Sequence, residues 1–254
     1  MSLWTAFALA LGLNVLMFVP AFLFKTDKLT DISYAASFAI LAGIFYSLGT
    51  HQSIHQILAI MVLAWALRLG TFLFIRINRM GKDSRFDGMR ERFFAFLRFW
   101  LLQGASVFAV LITAILVWNQ TTSLVTWVTY VGIGIFGVGL WLEATADLQK
   151  YQFTGNPRNK GKWIASGVWS ASRHPNYLGE MMVWVGVYLA CFSSLDRTAR
   201  LIGLISPVYI CSLLLFVSGI PLLEKSANAR WGKQAAYQAY KKRTPVLIPR
   251  LFRK

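Results

Sequence analysis

Stretches of predominantly apolar residues, each near the roughly 20 residues that carry a helix across a bilayer, recur from one end of this 254-residue chain to the other. They cover about residues 3–24, 30–49, 56–75, a fourth run ending at Trp118, 124–145, 179–192 and 201–223. With 56% hydrophobic and only 14% charged residues, the chain is too apolar for an ordinary soluble domain. The alternating pattern of an outer-membrane barrel is absent. The sequence therefore predicts an all-α polytopic membrane protein of about seven transmembrane helices. It reads as a single integral membrane domain, with residues 1–122 forming substrate-side helices and 123–254 forming cofactor-binding helices, a loop and a tail.

The formal net charge of +16 raises nucleic acid as a partner. The Lys and Arg residues, however, cluster in short loops beside apolar runs, as the positive-inside rule expects of cytoplasmic loops. That placement argues against nucleic acid and for anionic lipid head groups or a phosphorylated cofactor. Loops after the first, third and fifth runs are basic (Lys25 and Lys28; Arg76 through Arg98, with Lys82 and Arg85; Lys150 through Arg173), whereas His51 and Asn119–Ser123 flank uncharged loops. The alternation puts the N-terminus outside and the C-terminus in the cytoplasm; Arg197 and Arg200 are the exceptions. Met1-Ser2-Leu3-Trp4 has no basic n-region, so the first run is expected to be a retained span. Cys191 and Cys211 lie in apolar runs without a Cys-x-x-Cys spacing and read as buried thiols.

Polar residues at the ends of apolar runs carry the chemistry. In Arg173-His174-Pro175-Asn176-Tyr177-Leu178-Gly179-Glu180, Pro175 suits the first turn of a helix. Asn176 and Glu180 then share one face, beside Arg173 and Tyr177. Asp31, Glu143, Asp147, Glu180 and Glu224 all fall at the expected cytoplasmic ends of spans. Carboxylates at that depth either face a wet cavity or pair with a nearby Lys or Arg at the interface. The segment 149–163 is basic with aromatics interleaved, which suits phosphate binding with Trp163 or Trp169 stacked on a ring, or equally contact with lipid head groups. Arg230, Trp231, Tyr237, Tyr240, Lys241 and Lys242 repeat the theme in the tail. Gly132-x-Gly134-x-x-Gly137 matches a dinucleotide fingerprint in form, but without a βαβ context it reads as a helix-packing surface. His51 and His55 lack a third ligand nearby, so no metal site is expected.

Taken together, Asp147 to Lys150, Asn156-Pro157-x-Asn159-Lys160-Gly161, Gly167-x-Trp169, Ser172 to Glu180, and Glu224…Trp231-Gly232…Tyr237…Tyr240…Ile248-Pro249 resemble the membrane-bound steroid 5α-reductase family in its bacterial branch. More distantly they resemble the sterol Δ14/Δ7 reductases. A looser Arg-His-Pro…Tyr…Gly pattern also occurs in membrane methyltransferases acting on isoprenylcysteine or phospholipid, the alternative reading, which would use S-adenosylmethionine. The reductase resemblance implies NADPH held at the cytoplasmic side by Asp147, Lys150, Arg158, Trp169, Arg173, His174, Asn176, Tyr177, Glu180, Glu224, Lys225, Arg230, Trp231, Tyr237 and Tyr240. It implies a steroid-like or other lipid enone entering among the N-terminal spans, in a bacterial inner membrane, with contacts at Trp65 and Arg68. Trp65 stands where the animal enzymes have a ketone-polarising tyrosine, and Thr30-Asp31 stands where they have Gln-Glu. Asp31 is therefore the candidate acid that hydrogen-bonds the substrate carbonyl, supported by Tyr34 one helical turn on.

Overall fold

The computed structural model describes residues 2–81, 83 and 86–250, and among them every regular element is helical. The helices are α1 (Leu3–Leu23), α2 (Lys28–Leu48), α3 (Ser53–Met80), α4 (Phe93–Trp118), α5 (Trp127–Gly155), α6 (Pro175–Cys191), α7 (Arg197–Gly203), α8 (Ile205–Ser212), α9 (Ile220–Trp231) and α10 (Ala235–Arg243). Seven helical stretches are long and apolar enough to cross a membrane: α1 to α5, Pro175–Ser194, and a last one running from Arg197 to Trp231 through α7, α8 and α9. The expected all-helical, seven-span architecture is thus present.

Two boundaries differ from the sequence reading, each for a physical reason. Helix α5 continues ten residues past 145, to Gly155, because residues such as Gln149 and Lys150 lengthen a helix as readily as apolar ones. Helix α6 starts at Pro175, as its fit to a first turn predicts, so the whole Asn176–Glu180 face is helical. The last span is interrupted: a wide π turn at Leu213–Val217 leads to Ser218 and Gly219 before α9 begins with Pro221 in its first turn.

The chain divides into two compact units, residues Met1–Gly132 with Val187–Ser206, and Ile133–Gly186 with Pro207–Lys254. In the first unit, α1 packs on α4 and α2 on α3. Its interior holds Phe38, Leu41, Trp65, Trp100, Leu111, Ile115 and Trp118, all essentially inaccessible. A polar link crosses that interior, where apolar burial alone gives little helix-to-helix preference in lipid. The Gln103 amide donates to Asn14 Oδ1 at 2.9 Å and to the Thr30 carbonyl at 3.1 Å, and Asn14 donates to Ser37 Oγ at 3.2 Å. Helix α7 docks on α4 through Thr113 Oγ1, which donates to the Gly203 carbonyl at 2.6 Å.

The α3–α4 connection is held by one buried aspartate. Arg90 pairs with Asp27 at 2.8 Å, the Asp83 amide donates to the same carboxylate, and Phe86 inserts among Phe18, Phe96 and Trp100. Lys82 and Arg85 of this basic segment lie outside the described residues.

In the second unit, α5 and α6 touch backbone to backbone. A methyl group added at Gly179 would lie 2.6 Å from the Glu143 amide nitrogen and 2.6 Å from the Gly139 carbonyl. Of the Gly132–Gly137 motif, read from sequence as a packing surface, Gly132 is buried, whereas Gly134 and Gly137 have nothing within 4 Å; Gly139, outside the motif, makes the contact with α6.

Candidate functional site

The second unit contains a cavity of about 230 Å³ walled by α5, the 156–174 connection, α9 and α10. Each wall is built by an identifiable local device. The last turns of α5 present Lys150, Phe153 and Thr154, four-residue spacing placing Lys150 and Thr154 on one stripe. Asn156 caps the short turn Pro157–Asn159 by accepting from the Arg158 amide at 3.0 Å. Gly161, at φ +78, then reverses the chain so that its carbonyl accepts from Trp231 Nε1 at 2.7 Å. This links the loop to the end of α9.

Trp169 is buried; its Nε1 donates to the Ala146 carbonyl at 3.0 Å, and Lys150 Nζ sits 4.9 Å above its ring. Trp163 packs edge-on against Tyr237 (5.1 Å between ring centres) and lies 6.1 Å from Trp231. Tyr240 donates its hydroxyl to the Trp169 carbonyl at 2.9 Å. Burial raises Tyr240 to about 12, so it remains a neutral donor. Burial, with a contribution from Glu224, also raises Tyr237.

Residues 244–246 are tied to the end of the connection before α6. The Arg173 amide donates to the Pro245 carbonyl at 3.0 Å, Ser172 Oγ to that of Val246 at 3.5 Å, and Thr244 Oγ1 to that of Ser170 at 3.4 Å.

Charge in this wall is unbalanced. Glu224 on α9 is the carboxylate of the lining; it lies 3.3 Å from Arg173 Nη1 and 3.7 Å from Lys241 Nζ. It also accepts from His174 Nε2 at 2.9 Å, since a carboxylate can only accept. Around it stand Lys150, Lys162, Arg173 and Arg230. Several buried polar atoms have no hydrogen-bond partner: Arg173 Nε and Nη1, His174 Nδ1, and Asn176 Oδ1 on the neighbouring helix. Buried polar atoms are rarely left in that state unless something else satisfies them.

Of the residues singled out from sequence, Lys150, Trp169, Arg173, His174, Glu224, Arg230, Trp231, Tyr237 and Tyr240 line this cavity. Asn176 instead donates to Asp147 across the α5–α6 contact at 3.2 Å, and Tyr177 stacks on His174 with ring centres 5.9 Å apart. Glu180 sits half-buried on α6, while Arg158 and Lys225 are exposed and outside the cavity wall. Sequence reasoning passed over Ile164, Leu223, Ser226 and Ala227, which also line the cavity. The stripe Glu224, Ala227, Trp231 has helical spacing and could have found Ala227.

In the first unit, Asp31 forms an ion pair with Arg76 at 2.8 Å. That is the second of the two possibilities for a carboxylate at this depth. Trp65 is fully buried against Phe38 (4.9 Å) with Tyr34 at 6.4 Å, and Arg68 lies 5.7 Å over the Phe72 ring.

Fold and cavity define a polytopic helical membrane protein whose C-terminal unit holds a cation-rich, aromatic-walled cavity. Residues 17–244 match the family described as "Protein of unknown function (DUF1295)", and the chain belongs to that family. A stretch of 59 residues is 41% identical to a probable O-methyltransferase, ustE, of Ustilaginoidea virens, covering 23% of this chain and 21% of that protein. Another, of 92 residues, is 29% identical to the Delta(14)-sterol reductase of Arabidopsis thaliana, covering 32% of this chain and 24% of that one. The match thus spans less than a quarter of the length of either relative. No solved structure matches the chain.

Proposed function

We propose that this protein is an NADPH-dependent reductase of a carbon–carbon double bond in a 3-oxo-Δ4 steroid or similar lipid enone. The observation that carries the reading is the charge of the aromatic cavity. Four cations and a histidine face one carboxylate, which suits the phosphates of a dinucleotide. S-adenosylmethionine has no phosphate and carries a sulfonium, so the same wall suits it poorly. The buried Arg173 Nε, which has no partner, fits a guest that supplies an acceptor.

Lys150, Arg173 and Arg230 would hold the phosphates, and Trp163, Trp231 and Tyr237 would take an aromatic ring. Asn176, fixed by Asp147, would orient the reacting end. When bound, the cofactor supplies hydride to the β-carbon of the enone. The chain's own part is to position that donor, exclude water and stabilise charge on the carbonyl oxygen. Since Asp31 is committed to Arg76, the hydrogen bond to that oxygen falls to the Tyr34 phenol, with the ion pair as positioning partner. Positive-inside charge supports a site opening to the cytoplasm in a bacterial inner membrane.

The rival reading, a membrane methyltransferase, draws on the 41% identical stretch shared with the probable O-methyltransferase. Purified protein mixed with NADPH and progesterone or androstenedione separates the two. The reductase reading expects loss of nicotinamide absorbance at a rate reduced in Tyr34→Phe. No consumption with any enone, together with binding of S-adenosylmethionine, would transfer the assignment.

A further inference from the structure

Beside the aromatic cavity lies a second, of about 470 Å³, lined by Phe153, Thr154, Asn159, Lys160, Gly161, Lys162, Arg230, Trp231 and Gln234. No carboxylate contributes to it. The side chains of Lys160, Lys162 and Arg230 are exposed, and among the described residues none of the three makes an ion pair or side-chain hydrogen bond. In the adjoining cavity, by contrast, Arg173 is paired with Glu224, and Lys150 lies over the Trp169 ring. Three unpaired cations around one hollow are a site for an anion with several acceptor oxygens.

The position of the hollow narrows the identity of that anion. Its walls are the last turn of α5 and the last turn of α9, and these are the ends of two of the seven membrane-crossing stretches, which finish at Gly155 and Trp231. Helix α5 has 29 residues and so measures about 43 Å, the thickness of a bilayer with its head groups, which puts its last turn, beyond the apolar stretch, at the level of lipid phosphates. Trp231 lies in its wall with its indole N–H already satisfied by Gly161. An amphipathic ring at that depth is the usual interfacial anchor.

We propose that this second cavity binds the phosphodiester head group of an anionic membrane phospholipid. The competing source of the same chemistry is a phosphate of the cofactor in the adjoining cavity, which shares Phe153, Thr154, Lys162, Arg230 and Trp231 with it. Lys160 belongs to the second cavity alone and separates the two sources.

The experiment uses full-length protein in phosphatidylcholine nanodiscs doped with phosphatidylglycerol. Retained lipid is read by native mass spectrometry, and NADPH affinity is read separately in undoped discs. Wild type retains phosphatidylglycerol, Lys160→Gln retains it about fivefold less well, as expected for loss of one cation near a membrane surface, and Lys160→Arg restores it. NADPH affinity is unchanged in all three. Absence of selective retention by wild type overturns the proposal. So does a Lys160→Gln variant that holds lipid normally but loses NADPH in undoped discs, which would give the hollow to the cofactor. Normal lipid retention by a wild type that binds no NADPH would leave this site standing and remove the reductase reading.

Discussion

One methyl group at Gly179 tests whether the α5–α6 contact sets the geometry of the site. In Gly179→Ala the new Cβ would meet the Glu143 nitrogen and the Gly139 carbonyl oxygen at 2.6 Å, both backbone atoms that cannot rotate aside. Ordinary contact begins near 3.4 Å, so α6 has to withdraw by roughly 0.8 Å. Overpacking of this kind costs about 1–3 kcal/mol. The same withdrawal stretches the Asn176–Asp147 hydrogen bond, now 3.2 Å, beyond useful length. Losing it costs about 1 kcal/mol more and releases Asn176. Thermal unfolding in detergent should show a clear drop for Gly179→Ala, and NADPH affinity should fall with it. Gly134→Ala and Gly137→Ala are the controls, because nothing lies within 4 Å of either position. These should be as stable as wild type or slightly more so, Ala favouring helix by up to about 1 kcal/mol over Gly. A Gly179→Ala protein that unfolds and binds like the controls would refute the reasoning.

Three further outcomes follow from the ion pairs and the buried phenol. Asp27→Asn removes the buried partner of Arg90 and leaves it only the more exposed Asp87 and Glu91, so stability should fall by about 1–3 kcal/mol, with faster protease nicking between α3 and α4; unchanged nicking would count against the tether. Glu224→Gln leaves Arg173, His174 and Lys241 facing one another, and chemical denaturation should report a loss of about 2 kcal/mol, with wild-type stability as the contrary result. Because the folded chain holds Tyr240 neutral up to about 12 while an unfolded tyrosine ionises near 10, its contribution is complete below pH 10 and lost as pH rises through that window. Tyr240→Phe should flatten that alkaline decline, at about 1 kcal/mol lower stability near neutrality for the lost bond to Trp169; an identical alkaline profile would exclude Tyr240 as its source.

The spans were legible because a helix in lipid must be apolar for its whole crossing, and that requirement is written residue by residue. Where α5 outlasts its apolar stretch, hydropathy stops being informative while the helix does not. The residues of the cavity were legible as types, since Lys, Arg and Trp clustered beside apolar runs have few uses. Their pairing was not. His174 and Glu224 are 50 residues apart, and Asp31 and Arg76 are 45 apart. Nothing local says which cation a given acid will meet, and that choice decides whether Asp31 can donate. The glycine motif misled in part, for a related reason: spacing fixes which glycines share a face, but not which face meets a neighbour.

Two tyrosines of the aromatic cavity's wall, Tyr237 and Tyr240, follow all seven crossing stretches in the chain. Every membrane crossing can therefore be inserted and paired before the cavity has its final wall. A chain cut short after Trp231 would keep every crossing stretch yet lack both tyrosines from the wall of the cavity.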